Sequence, residues 1–205
     1  MQLFLKRAAD LAVSVPMLLV AAPIMAVCAL AIRMSMGSPV LFRQLRIGYQ
    51  ERPFTLFKFR TMCAATDPSN ALSTDGERLT PLGRWLRRTS VDELPQLWHV
   101  ITGEMSLVGP RPLLPQYLDR YSQVQRRRHE RKPGITGWAQ IKRRNSLSWE
   151  RKFELDVWYV DHQDFWLDLR ILFATAATVF RARHTSQAGH ATASEFMGSK
   201  PESPE

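Results

Sequence analysis

LAVSVPMLLVAAPIMAVCALAI, Leu11 to Ile32, carries no charged residue. A run of about 22 apolar residues is long enough to cross a bilayer as a helix. It is too long for a signal-peptide core, and no small-residue cleavage site leads from it into a mature domain. A buried core helix is the competing reading. Lys6 and Arg7 precede the run, and Arg33, Arg43 and Arg46 follow it. Positive flanks mark the cytoplasmic side, and here both flanks are positive, so the rule gives no orientation. A helix that enters the membrane, bends and returns to the same face satisfies both. Pro16 and Pro23 supply the means, because proline removes a ladder N–H and crowds the preceding turn. Pro23, near the middle, is the expected membrane break. From the residues alone, a re-entrant helix and a kinked span stay equally open.

Working outward, 205 residues with a formal charge of +9 fit one domain with an anionic partner: nucleic acid, anionic lipid or a phosphorylated substrate. A solvated basic face with no specific ligand is the plain alternative. No groove-reading or base-stacking module is recognisable, which argues against nucleic acid. Cys28 and Cys63 have neither metal-site nor disulfide spacing. The expected organisation is α+β, mostly helical with a small β-hairpin. Residues 1–36 would form a membrane element, a helix–break–helix if re-entrant, 37–185 a folded domain with interfacial helices, and 186–205 a polar tail with a mobile end.

Ser38 to Met62 alternates like a hairpin that turns near Ile47-Gly48-Tyr49, and Lys58 and Arg60 share one face of its second arm. Cys63 to Arg78 reads as a polar loop. Between Leu82 and Ile101, Pro95 belongs in the first turn of a helix, which sets a start near Asp92. Ser90 and Glu93 also match a capping box. Met105 to Pro112 reads as a short strand entering a rigid turn, Gln116 to His129 as a basic helix, and Lys132 to Gln140 as a glycine-punctuated loop. Trp149 to Val160 and Phe165 to Phe180 read as helices, the second either with Trp166 and Arg170 at a membrane interface or as an ordinary core helix.

Asp92 and Glu93 are adjacent acids that follow Arg84, Arg87 and Arg88. A carboxylate can attack phosphorus as a nucleophile or hold Mg²⁺. Taken alone, the pair favours the plainer reading of a helix cap beside a solvated acid. Arg111 lies between two prolines that stiffen the backbone presenting it, and a guanidinium grips phosphate with a fork. A solvent-facing turn explains it equally well. Arg143, Arg144 and Asn145 follow a Gly-Ile-Thr-Gly-Trp loop, where glycine permits close ligand approach, and an ordinary loop with solvated charges explains them equally well. Arg126-Arg127-Arg128 reads as a solvated or headgroup-facing run.

In order and spacing, KRAADL, SPVLFRQLRIG, FKFRTM, DELPQLWHV, MSLVGPRPLLPQY, RKPGITGWAQ, RRNSLSWERKFELDVWYV and LDLRILFATA cover nearly the whole chain. Together they resemble the small monotopic form of the bacterial polyprenyl-phosphate phosphoglycosyl transferases. The tail GHATASEFMGS is similar to that of the PglC-type enzymes, which act on amino-sugar donors such as UDP-di-N-acetylbacillosamine. The resemblance implies a transferase that moves a sugar 1-phosphate from a UDP-sugar to polyprenyl (undecaprenyl) phosphate, with release of UMP. Asp92 would be the nucleophile and a metal ligand, Glu93 the second member of the dyad, and Mg²⁺ the cofactor. Lys58 and Arg111 would hold phosphate, with Arg87, Gln140 and Arg144 as further pocket residues. It also implies a re-entrant helix with both ends cytoplasmic, at the bacterial inner membrane. One departure is visible: Ala22 stands where the family pattern has Ser before the central proline. The alternative from another class is a membrane-anchored, lipid-binding scaffold without catalysis.

Overall fold

The computed structural model describes residues 2–63, 75–143, 147–181 and 195–198. Helix α1 runs from Gln2 to Met36 with both prolines inside it. The expected interruption at Pro23 therefore appears as no gap in helical structure. At 1.5 Å per residue, a helix of this length reaches about 52 Å. Its residues divide by face. Asp10, Ser14, Ala21, Cys28 and Ile32 are buried at spacings of four and seven, which keeps them on one side. Val13, Leu19, Val20, Ile24, Val27 and Leu30 are exposed. Ala22 lies among the exposed positions, and Cys28 and Cys63 are free thiols.

Polar contacts pin α1 at both ends to the same body. Lys6 Nζ donates to Asp168 Oδ2 at 2.6 Å and to the Val108 carbonyl at 3.0 Å. Arg7 donates to the carbonyls of Val100 and Ile101, and Asp10 Oδ1 accepts from Ser106 Oγ and the Leu107 N–H, both at 3.1 Å. At the far end, Arg60 donates to the carbonyls of Met36, Gly37 and Ser38. These satisfy carbonyls that a helix end leaves without partners. Arg60 thus serves α1, whereas Lys58 feels the carboxylates of Asp92 and Glu93.

The hairpin forms as read. Strand β1 (Leu41–Ile47) pairs antiparallel with β2 (Pro53–Phe59) across a 3₁₀ turn at Tyr49–Glu51. A short helix α2 (Asp75–Arg78) and helix α3 (Pro81–Thr89) follow. Thr80 caps α3 by accepting from the Gly83 N–H, and Pro81 opens it. Gly83 lies against the end of β2: a Cβ there would sit 1.9 Å from the Thr61 carbonyl oxygen. Helix α4 spans Leu97–Thr102.

Four readings change. Asp75–Arg78, the end of the expected polar loop, is helix α2, and residues 64–74 of that loop lie outside the described residues. Gly134–Thr136, expected as loop, is strand β4, parallel to β3 (Ser106–Val108). Three residues, one of them Gly134 and the last followed by Gly137, carry too little alternation to announce a strand, and the tertiary pairing decides it. The basic helix expected at Gln116–His129 is three pieces: a 3₁₀ turn Pro115–Arg120, helix α5 (Gln123–Arg126) and a second 3₁₀ turn Arg127–Glu130. Tyr121 is extended, and Ser122 restarts the chain with a full capping box on Gln125. The arginine run is also not a free face. Arg126 pairs with Glu51 and Arg127 with Glu130 and Asp161, while Arg128, 2% exposed, pairs with buried Asp156 at 2.7 Å.

Helices α6 (Trp138–Arg143), α7 (Trp149–His162) and α8 (Phe165–Arg181) complete the described elements. Phe153, Val157 and Val160 are buried on α7 as its periodicity predicts. The main core joins Leu97, Val100, Met105, Leu107, Tyr159 and Ile171, and Leu18 of α1 packs on it. Cys28 and Ile32 of α1 meet Phe59 and Leu86 in a second cluster.

Candidate active site

Asp92 rides a 3₁₀ turn, Val91–Gln96, that holds Pro95 and leads into α4. The chain enters it through Ser90, in the left-handed region at φ 58°. Ser90 makes no side-chain cap, so the capping-box pattern it shares with Glu93 is not realised; the Glu93 N–H instead donates to the Ser90 carbonyl at 3.2 Å. This tight turn packs against β2 and buries Asp92 to 7% exposure. Lys58 stands opposite Phe42 in the hairpin register, its ammonium 5.1 Å from that ring. Arg87, from α3, donates through Nε to the Thr61 hydroxyl at 3.0 Å.

Arg111 arrives from the other side. Its turn follows β3, where Gly109 and Gly134 cross so closely that a Cβ on Gly134 would lie 2.1 Å from the Gly109 nitrogen. Arg111 Nη2 meets Glu93 Oε1 at 2.8 Å. Arg46, which the sequence reading passed over as a site residue, belongs here too. It donates to the Pro112 carbonyl at 3.2 Å and to Gln44 Oε1 at 2.6 Å. Period-two alternation puts Phe42, Gln44 and Arg46 on one face of β1. Phe42 pairs with Lys58, and that was the available signal.

The charges interact as one set. Burial pushes the Asp92 carboxyl up to about 6, and Glu93 adds to the rise; Lys58, Arg87 and Arg111 pull it back. Burial lowers Lys58, as do its neighbours Arg111 and Arg87, while Asp92 and Glu93 oppose the fall. Burial takes Arg46 down to about 10, with Arg111 adding to it. Glu93 holds Arg111 above its ordinary value. A desolvated carboxylate among fixed cations is ionised near neutrality and poorly hydrated. That suits attack on a phosphorus whose oxygens the cations can neutralise.

One expected residue stands apart. Gln140 donates to the Ile135 carbonyl at 3.1 Å, its buried Oε1 without a partner among the described residues, and it is tied to β4 rather than to the dyad. Arg144 lies outside the described residues. Among the described residues, no group of three His, Cys, Asp or Glu gathers to hold a metal. Two adjacent carboxylates do fit Mg²⁺, which is usually held by one or two carboxylates together with substrate phosphates.

A family model described as "Bacterial sugar transferase" matches residues 1–182. The chain belongs to that family. This sugar transferase is 51% identical over 197 residues to a Bacillus subtilis protein named "Uncharacterized sugar transferase EpsL", covering 96% of this chain and 98% of that one. It is 44% identical to the "Undecaprenyl-phosphate glucose phosphotransferase" of Komagataeibacter xylinus, over 83% of this chain and 35% of the relative. It is 35% identical to an Aeromonas hydrophila protein named "UDP-N-acetylgalactosamine-undecaprenyl-phosphate N-acetylgalactosaminephosphotransferase", over 86% of this chain and 44% of the relative. The sugar transferase thus spans less than half the length of these last two.

Proposed function

We propose that the enzyme transfers a sugar 1-phosphate from a UDP-sugar, an N-acetylated amino sugar by the likeness of its tail, to undecaprenyl or another polyprenyl phosphate. The observation that carries this reading is the buried Asp92 carboxylate, set among Lys58, Arg87 and Arg111 beside Glu93. An Asp92 oxygen attacks the β-phosphorus, a new O–P bond forms, and the bond to the bridging oxygen breaks to release UMP. The aspartyl phosphosugar is then attacked by a polyprenyl phosphate oxygen, which frees Asp92 and yields the polyprenyl diphosphosugar. Lys58, Arg87 and Arg111 orient and neutralise the phosphates. Glu93 holds Arg111 in place and can take or give a proton at the departing or entering oxygen. Mg²⁺ held by Asp92 would supply further charge neutralisation to the diphosphate.

The place of reaction is the cytoplasmic face of the bacterial inner membrane. Helix α1 is long and apolar enough to cross a membrane, yet Lys6 and Arg7 at one end and Met36 at the other bond to one body. That attachment supports a re-entrant path bent near Pro23 over a crossing that would separate the two ends. Trp85, Trp98, Trp166 and Phe173 are exposed as well. The test is UMP release by detergent-purified enzyme with Mg²⁺, undecaprenyl phosphate and a panel of UDP-sugars, with intact-mass analysis before acceptor is added. Turnover with a phosphosugar adduct, both lost in Asp92→Asn, supports the proposal; turnover without any adduct favours direct transfer with both substrates bound.

A further inference from the structure

Residues Glu195–Gly198, from the segment expected as a polar tail, are docked. Phe196 is 1% exposed. Its ring lies 4.9 Å from Phe153 and 5.7 Å from Tyr117, both edge-on, and 6.0 Å from Tyr121, stacked. Its N–H donates to Tyr117 Oη at 3.3 Å. Arg120 donates to the Phe196 carbonyl and to Glu195 Oε1 at 2.9 Å, and Gln116 donates to the same oxygen at 2.7 Å.

The socket is continuous with the candidate active site. Leu113, two residues beyond Arg111, belongs to the same cluster as Phe196. Arg128 lies over the socket's rings, 5.4 Å from Phe153 and 5.8 Å from Tyr121, and donates to Tyr121 Oη at 3.2 Å. With another N–H it donates to the Arg111 carbonyl at 2.8 Å. The backbone that presents Arg111 is therefore held by a guanidinium that rests on the rings enclosing Phe196. Emptying an aromatic socket lets its lining relax into the space, and here that lining supports Arg128.

We propose that Phe196 is a positioning residue: seated in its socket, it braces Arg128 and the Arg111 turn, so that the enzyme grips a diphosphate fully only when its own tail is docked. This rests on Arg111 as a phosphate-holding residue. The test is a double-mutant cycle in the full-length enzyme, with Phe196→Ala and Arg111→Ala alone and combined. It is read as UMP release and, without turnover, as calorimetric binding of inorganic pyrophosphate. Phe196→Ala should weaken pyrophosphate binding and lower kcat/KM by about tenfold when Arg111 is present, and by under about twofold when it is absent. Phe196→Leu, which keeps the socket filled, should retain most of both and serves as the probe if Phe196→Ala does not fold. Equal losses in both backgrounds, or no loss in folded Phe196→Ala, overturn the proposal. No UMP release with the pyrophosphate cycle intact defeats the donor reading and leaves the brace standing; no pyrophosphate binding by the wild type overturns both.

Discussion

Arg111 Nη2 sits 2.8 Å from Glu93 Oε1, joining the Pro-Arg-Pro turn to the acidic pair across 18 residues of chain. Half of the Arg111 side chain is open to solvent, so the pair adds little to stability; exposed ion pairs contribute about 0–1 kcal/mol. Its use is orientation. Arg111→Lys keeps the charge and loses the planar fork. We expect its unfolding free energy to stay within about 1 kcal/mol of wild type, while kcat/KM for the UDP-sugar falls on the order of tenfold. Chemical denaturation beside steady-state UMP release separates the two effects, and a parallel fall in both would mean that the pair is structural.

Asp92 carries a pH signature. Its carboxyl is pushed up to about 6, and nucleophilic attack needs the ionised form. The rate of adduct formation should therefore rise with pH through about 6 and level off above it. The same shift acts on stability with a definite sign. A carboxyl whose folded value lies above its unfolded value of 3.8 favours the fold below the lower value, and that contribution is lost as pH rises through about 6. Asp92→Asn, neutral at every pH, should be more stable than wild type by about 3 kcal/mol at pH 8 and equal to it near pH 3. Equal stability at both pH values would mean that the carboxyl is not desolvated.

The parts legible in the sequence were those with long periodicity or stiff punctuation. The apolar α1, the hairpin, and helices α7 and α8 all announced themselves; the family resemblance named Asp92, Glu93, Lys58, Arg87 and Arg111, whose charges the fold brings within reach of one another. Strand β4 escaped because three residues carry no periodicity and its partner lies 28 positions away, Ser106 opposite Gly134. Arg128 read as surface because nothing local reveals that Asp156, 28 residues on, awaits it in the core. Phe196 escaped for a similar reason: its surroundings in sequence are small and polar, and its socket is assembled from Tyr117, Tyr121, Trp149 and Phe153.

The Arg128–Asp156 pair makes a stability prediction of its own. Both side chains are buried, and burial opposes their charge while each supports the other's. Removing one partner strands a buried charge, which typically costs 3–5 kcal/mol, roughly. Asp156→Asn and Arg128→Met should each lower stability by about that much, and the double variant should recover a good part of it. Denaturant midpoints for the four proteins test this. Strict additivity of the two losses would show that the pair does not act as a unit.

The attachment of α1 predicts where its ends lie. Asp10, Ser106 and the Leu107 N–H satisfy one another in a buried site, and Lys6, Tyr159 and Asp168 do the same nearby. Moving the N-terminal end of α1 to the opposite side of a bilayer would strip partners from two carboxylates while leaving Asp168 and Tyr159 in the core. Moving the Met36 end would take from Arg60 the carbonyls it binds. Both ends should therefore lie on one side of the membrane, the cytoplasmic side under the function proposed above. In a background of Cys28→Ala and Cys63→Ser, new cysteines at Gln2 and at Ser38 should resist a membrane-impermeant maleimide applied to intact spheroplasts and react after permeabilisation. Labelling of one position and not the other in intact spheroplasts would establish a crossing helix, and the bend assigned to Pro23 would have to be given up.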